Sequence, residues 1–333
     1  MSLAGSVRRL GVGLLAVAAL ALSGCDRREQ AAGAAAGEIT FSILSAQGEA
    51  SAGPLWQPLL DDMSKAIGVA VEPHFASTYA TLIEDMKEGR TQAAWFSAQP
   101  AIRALETAGA EMVARTVDPD GADSYRSTLI VKRGSGLTLA DVLQCGQRHR
   151  FGLGDPESTS GTLVPMTFLF NPRGIQPDVC FQSVKTGNHE TNAFEVAAGV
   201  LDVATSNSVT VSELRRRNPT IADQIEEIWR SPRTRMAPSG IGGDLDPALK
   251  EKIRSFFLTY GQGGGIEAER QRRVLAALNY SRFSAAEDDY LDPVRELIAD
   301  QALADARAEG DAAGVAAAQR DLQRLRAKRE VQP

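Results

Sequence analysis

Apolar residues along this chain fall into short blocks of strand character that alternate with longer amphipathic stretches at helical spacing. The pattern predicts strands over Thr40–Leu44, Val69–Phe75, Ala93–Phe96, Glu111–Val117 and Tyr125–Val131, with helices over Leu55–Ile67 and Tyr79–Lys87 between the early ones. Gly134-Ser135-Gly136 then interrupts the pattern, and a second series follows. Its strands are predicted at 150–154, 182–185 and Asp202–Thr205, and its helices at Thr159–Phe170, Glu190–Ala198 and Val211–Arg216. Pro165 removes one N–H inside the first of these helices and is expected to bend it. Gly240–Gly243 marks a return, with helices expected over Leu249–Tyr260 and Glu267–Leu278. Strand–helix alternation of this kind builds βαβ units, so the fold class is α/β with central, mainly parallel sheets. The stretch from Asp292 to Lys328 is helix-prone with a break at Gly310-Asp311. Val315, Ala318, Leu322 and Leu325 form a narrow 3-4-3 seam there, suited to packing back on the chain or to a homodimer through the tail.

The domain reading follows from these punctuation marks. Residues 38–133 form a first lobe, 134–235 a second, 236–291 a return to the first, and 292–333 a helical tail. Two α/β lobes joined in mid-chain enclose a cleft, and open parallel sheets bind ligands beyond the carboxyl ends of their strands. At such an end lies Asp155-Pro156-Glu157-Ser158-Thr159-Ser160-Gly161, between a strand pattern and a helix pattern. A helix start leaves backbone N–H groups without partners and carries partial positive charge, so with three hydroxyls it suits a tetrahedral oxyanion. Ser158 or Thr159 acting simply as a helix cap is the plainer alternative.

The N-terminus changes the picture of location. Arg8 and Arg9 precede an uncharged run from Leu10 to Leu22, too short to span a bilayer, which ends at Leu22-Ser23-Gly24-Cys25. This looks like a lipobox: residues 1–24 are expected to be a signal peptide, with Cys25 lipidated and 25–37 a flexible tether rich in Ala and Gly. Asp26, by resemblance to bacterial lipoproteins, favours retention at the inner membrane on its periplasmic side. Composition, 43% apolar and 23% charged, is that of a globular protein, and a formal charge of -6 argues against nucleic-acid binding. With Cys25 assigned to lipid, Cys145 and Cys180 remain, either disulfide-bonded in an oxidising compartment or two buried thiols. His74, His149 and His189 show no metal-ligand spacing, so neither metal nor cofactor is expected.

The chain resembles the phosphonate-binding proteins of ABC transporters over nearly all of its length after the tether. The resemblance is carried by Leu55-Trp56 with Pro58-Leu59-Leu60-Asp61-Asp62-Met63, Tyr79-Ala80, Ala94-Trp95-Phe96, and Asp155-Pro156 with Ser158-Thr159-Ser160-Gly161. Gly187-Asn188-His189-Glu190-Thr191-Asn192-Ala193, Asp202-Val203-Ala204-Thr205 and Ile228-Trp229-Arg230-Ser231-Pro232 continue it in order. It implies a two-lobed periplasmic-binding-protein fold of type II-like kind that closes on a phosphonate, phosphite or phosphate and delivers it to an ABC permease and its ATPase subunits. It also implies ligand contacts from Ser158, Thr159, Ser160, Tyr79, Tyr125 and His189. Members that take an aminoalkyl phosphonate carry two carboxylates where this chain has Val209 and Ala237, with Arg233 and Arg235 nearby. An oxyanion without an amine is therefore expected, including a phosphonate whose second acidic group meets Arg233 or Arg235.

Two other function classes compete. A sensor that signals to a membrane kinase requires the same lobe closure. A hydrolase could be imagined from Ser158 or Ser160 with His189 and Asp155, but the chain has no G-x-S-x-G elbow, and ligand binding explains the hydroxyls without a base.

Overall fold

The computed structural model describes residues 37–44 and 46–331, so the expected signal peptide, Cys25 and all but the last residue of the tether lie outside the described residues. In chain order the first half runs β1 (Glu38–Ile43), α1 (Glu49–Ile67), β2 (Ala70–Phe75), α2 (Tyr79–Lys87), β3 (Ala93–Trp95), α3 (Ala98–Thr107), β4 (Glu111–Val117), β5 (Ser124–Tyr125), β6 (Ser127–Lys132), α4 (Leu139–Leu143) and β7 (Arg150–Leu153). After the helical stretch from Thr159 to Arg173 come α5 (Pro177–Cys180), β8 (Ser183–Thr186), α6 (His189–Ala198), β9 (Val203–Asn207), α7 (Ser208–Arg217), α8 (Pro219–Ala222) and β10 (Ile225–Arg230). β11 (Thr234–Arg235), β12 (Pro238–Ile241), α9 (Pro247–Thr259), α10 (Ile266–Ala277), β13 (Arg282–Ser284), α11 (Asp292–Glu309) and α12 (Ala312–Val331) complete the chain.

Two mixed sheets form the lobes. The first has the order β13-β4-β12-β3-β1-β2 and the second β10-β6-β9-β7-β8. In each, the earliest strand of a βαβαβ run sits between its second and third, and the next place is taken by a strand adjoining a crossing between lobes. That is the order expected of the type II-like fold. Parallel pairing is confined to the βαβ runs, β1 with β2 and β3, and β7 with β8 and β9. β12, β4 and β13 pair antiparallel in one sheet, as do β9, β6 and β10 in the other, so the expectation of mainly parallel sheets is corrected. A strand arriving from the other lobe has no crossover helix to turn it round, so it enters against the direction of the run.

The first crossing also lies earlier than Gly134-Ser135-Gly136. β6 belongs to the second sheet, so the chain leaves the first lobe at about Tyr125. Outgoing β5 and returning β11 pair with each other, Tyr125 opposite Thr234 and Ser124 opposite Arg235, forming a two-stranded ribbon between the lobes.

Local departures from the predicted elements have readable causes. α1 begins at Glu49, ahead of the predicted Leu55, with Pro54 and Pro58 inside it, because Ala52, Trp56, Leu59, Leu60, Met63 and Ile67 bury one face in the first core. α3 has no counterpart in the prediction; its buried face is made of Ala98, Pro100, Ala101, Ile102 and Ala104, too small to register as an apolar stripe. The predicted helix over Thr159–Phe170 exists but winds wide, with π-helical turns over Thr159–Leu163 and Met166–Phe170 on either side of Pro165. Pro165 has no N–H for the Gly161 carbonyl, and the Gly154 amide takes that carbonyl instead at 3.1 Å.

α11 and α12 form an antiparallel hairpin broken at Gly310, whose φ of 72° suits glycine. Ala318, Leu322 and Leu325 are buried within the chain, and at the open end of the hairpin Arg329 donates to Glu296 at 3.0 Å. The seam is therefore consumed by intrachain packing, which removes the basis for expecting a homodimer through this tail. Cys145 and Cys180 are joined by a disulfide. Among the described residues no helix is long and apolar enough to cross a membrane.

Candidate functional site

Strand ends from both sheets converge on one cavity, part of it open to solvent. Ile43 ending β1, Leu44 after it and Trp95 of β3 line it from the first lobe. Ser158 and Ser160 after β7, and Asn207 ending β9, line it from the second, with Tyr125 of the ribbon between. The placement follows the rule for open α/β sheets that the crevice lies beyond the carboxyl ends of the strands.

One end of this cavity is a cluster of hydroxyls. Ser158 caps the wide helix, its Oγ accepting from the Gly161 amide at 3.0 Å, so the cap and the cavity-lining position belong to one residue. The helix start leaves the amides of Thr159 and Ser160 without intrahelical acceptors. The Tyr79 side chain faces Ser158 and the Tyr125 side chain faces Ser160. Burial raises both phenols, Tyr125 to about 12, so each stays a neutral hydroxyl donor at physiological pH. Ser160 Oγ also lies 3.1 Å from His189 Nε2 and 3.5 Å from Asn207 Nδ2.

His189 opens α6 and is 3% exposed, with Nδ1 buried and unpartnered. Desolvation pushes its pKa down to about 4, leaving a neutral imidazole. Trp95 Nε1 is a second buried donor without a partner on this wall.

Backbone packing fixes the position of the cluster. A Cβ on Gly154 would stand 2.5 Å from Gly161 Cα, and one on Gly161 would stand 2.8 Å from Gly154 Cα. The strand end and the helix start touch main chain to main chain, which admits only glycine at both places.

Thr159 faces elsewhere. Its Oγ1 accepts from the Gln99 amide at 2.8 Å and donates to Ser97 Oγ at 3.2 Å, joining the second lobe to the start of α3. Asp155 makes a similar bridge, accepting from the Tyr79 amide at 3.3 Å, and Glu190 accepts from the Gly48 amide at 3.0 Å. The lobes are thus in contact across the cleft.

Arg233 and Arg235 are not at the cavity, and their expected contact with the ligand's second end is corrected. They sit at the crossing ribbon, where Arg233 donates to the Ser124 carbonyl at 2.8 Å and Arg235 pairs with Asp123 at 3.5 Å over the Tyr290 ring. Val209 and Ala237 do line the cavity, as expected for positions facing the ligand.

Comparison with known proteins decides the family. The family model for the phosphonate periplasmic substrate-binding protein of ABC transporters matches residues 41–291. The phosphonates-binding periplasmic protein of Escherichia coli K12 is 35% identical over 78% of this chain and 75% of its own length. The chain belongs to the phosphonate-binding periplasmic proteins of ABC transporters. A crystal structure of a binding component of an ABC phosphonate transporter from Pseudomonas aeruginosa superposes with a TM-score of 0.83 at 34% identity, covering 88% of this chain and 99% of that one. A Prochlorococcus marinus protein solved with methylphosphonate shares the fold at a TM-score of 0.69 and 20% identity, covering 78% of this chain and 96% of that one. A phosphate-import protein of Mycolicibacterium smegmatis is 25% identical over 73% of this chain and 78% of its own length.

In this phosphonate-binding family member, sequence reasoning missed Trp95, Asn207, Gln47 and Glu213 as cavity residues. Trp95 and Asn207 end their strands, and that position was the available signal. Glu213 lies one helical turn beyond Val209 on α7, and Gln47 follows β1 in a loop; nothing local marks either as facing a ligand.

Proposed function

We propose that the protein closes its lobes on a phosphonate or related phosphorus oxyanion, phosphite and phosphate included, and delivers it to an ABC permease. The observation that carries this reading is the convergence of Ser158, Ser160, Tyr79, Tyr125 and His189, from both lobes and the ribbon, on one end of one cavity. Hydroxyls, free amides and a neutral imidazole are hydrogen-bond donors that suit oxyanion oxygens without bringing a full positive charge. Thr159 contributes through its backbone amide, its hydroxyl being held by α3. Because donors come from opposite sides, the ligand binds the closed form better than the open one, and that difference drives closure. The relatives named for phosphonates, phosphate and methylphosphonate support the ligand class.

The Ser160–His189 pair does not make a hydrolase. A histidine base of the triad kind relies on a partner that orients the ring and stabilises the imidazolium it becomes, yet His189 Nδ1 has none, and burial, which lowers its pKa to about 4, makes that imidazolium costly to form. Asp155 is not directed at the ring: it accepts from the Glu157 amide at 2.9 Å and from the Tyr79 amide at 3.3 Å.

The N-terminal pattern ending at Cys25 supports a lipoprotein held at the periplasmic face of the inner membrane. Isothermal titration with methylphosphonate, phosphite and phosphate tests the ligand reading. Binding of at least one is expected, weakened about 10- to 100-fold by Ser160→Ala; no heat with any of the three refutes it. Cys25→Ala is expected to move the protein from the membrane fraction to the soluble one.

A further inference from the structure

Each parallel strand of the first lobe delivers a helix start to the cleft. α1 follows β1, α2 follows β2 and α3 follows β3, so three amino ends, with their unpaired amides and partial positive charge, meet the second lobe. Two of these starts have no side-chain cap of their own. Gly48, the cap residue of α1, has no side chain, and Ser97, the cap residue of α3, makes no bond to the amides that follow it.

The second lobe supplies what is missing. Glu190 accepts from the Gly48 amide at 3.0 Å, the bond that a capping-box glutamate makes within its own helix. Thr159 Oγ1 accepts at 2.8 Å from the amide of Gln99, second residue of α3, which is the bond a cap side chain makes. α2 has its own cap in Thr78, and Asp155 adds a carboxylate on the Tyr79 amide at 3.3 Å. Within the second lobe the cap positions are already filled: Asn188 caps α6, where Glu190 stands in the first turn, and Ser158 caps the helix that Thr159 opens. None of the three side chains lines the cavity.

We propose that Glu190, Thr159 and Asp155 are closure latches: the second lobe caps the helices of the first, and bonds that exist only while the lobes meet set the affinity for every ligand by one common factor. The inference rests on the closure proposed above and adds positioning residues whose side chains touch no ligand. Opening the cleft returns each amide and each acceptor to water, so a cap removed from the closed form shifts the open–closed balance by the same amount whatever is bound.

The test is calorimetric titration of the native protein, Glu190→Ala and Glu190→Gln with methylphosphonate, phosphite and phosphate, beside amide exchange of the ligand-free proteins followed by NMR. Loss of a cap corresponds to a factor of about 3 to 10. Where the ligand-free native protein is mainly open, Glu190→Ala weakens every ligand that binds by that one factor. Where it is mainly closed, affinity moves less, and the Gln99 amide, on a different helix from the lost cap, exchanges faster by that factor. Glu190→Gln keeps an oxygen acceptor and is expected to show a smaller effect in either readout. The inference is overturned by a weakening that differs from ligand to ligand, by an effect as large in Glu190→Gln as in Glu190→Ala, or by a change confined to the Gly48 amide with affinity unaltered. No change in either readout overturns it as well. Should Glu190→Ala prove unfolded by circular dichroism, Thr159→Val, which keeps the side-chain shape, is read in the same way with the Gly48 amide as the distant reporter. Failure of all three ligands to bind the native protein refutes the ligand reading instead, and exchange in the ligand-free proteins then decides the latches alone.

Discussion

His189 gives the fold a dependence on pH whose size follows from its surroundings. The ring is 3% exposed, no charge offsets its desolvation, and its pKa falls from 6.5 in the unfolded chain to about 4. A folded-state pKa depressed in this way means that the unfolded chain takes up a proton first as pH falls. The stabilisation is complete above about pH 6.5 and is lost progressively toward pH 4. Between pH 7 and pH 5 the loss amounts to about 2 kcal/mol, and by pH 4 to about 3 kcal/mol. Glu213, raised to about 7, acts in the opposite sense, its contribution falling as pH rises from 4.5, so wild-type curves alone would partly cancel. The comparison with His189→Gln isolates the imidazole, since Gln keeps an amide donor and acceptor and does not titrate. Urea unfolding of ligand-free protein in buffers without phosphate is expected to show the stability gap between wild type and variant changing by about 2 kcal/mol from pH 7 to pH 5. Parallel pH profiles for the two proteins would falsify the assignment of a buried neutral imidazole.

Further predictions concern the cluster and its supports. Ser160→Ala removes one donor to a charged ligand, and a weakening of methylphosphonate binding by about 10- to 100-fold is expected by calorimetry. Ser158→Ala removes a ligand donor and a helix cap together, so it is expected to cost about 1 kcal/mol of ligand-free stability besides binding, as denaturant midpoints would show. Gly161→Ala places a methyl 2.8 Å from Gly154 Cα, and titration is expected to find no ligand binding because the helix start must move off the strand end. Reducing the Cys145–Cys180 bond, with a sequence separation of 35, is expected to destabilise the chain by about 3 to 4 kcal/mol, read from urea midpoints with and without reductant.

Much of this protein was legible in its sequence because the information was local. Hydrophobic period separated strands from helices, and the hydroxyl-rich segment from Ser158 to Ser160 announced a helix entrance at a strand end, whereas the glycine runs at Gly134 and Gly240 lie past the two crossings rather than at them. Gly310 set the break in the tail, since only a left-handed residue closes that helix without strain. Tertiary structure decided what depends on partners distant in the chain. Whether β6 joined the first sheet or the second was settled by pairing with β9 and β10, which lie far downstream. The hydroxyl of Thr159 turned from the cavity to α3, and Arg233 and Arg235 were drawn to acids at the crossing ribbon. Glu213 entered the cavity because α7 continues along its wall for another turn beyond Val209. Periodicity records which face of an element is apolar, but which group a polar side chain meets is fixed only when the lobes come together.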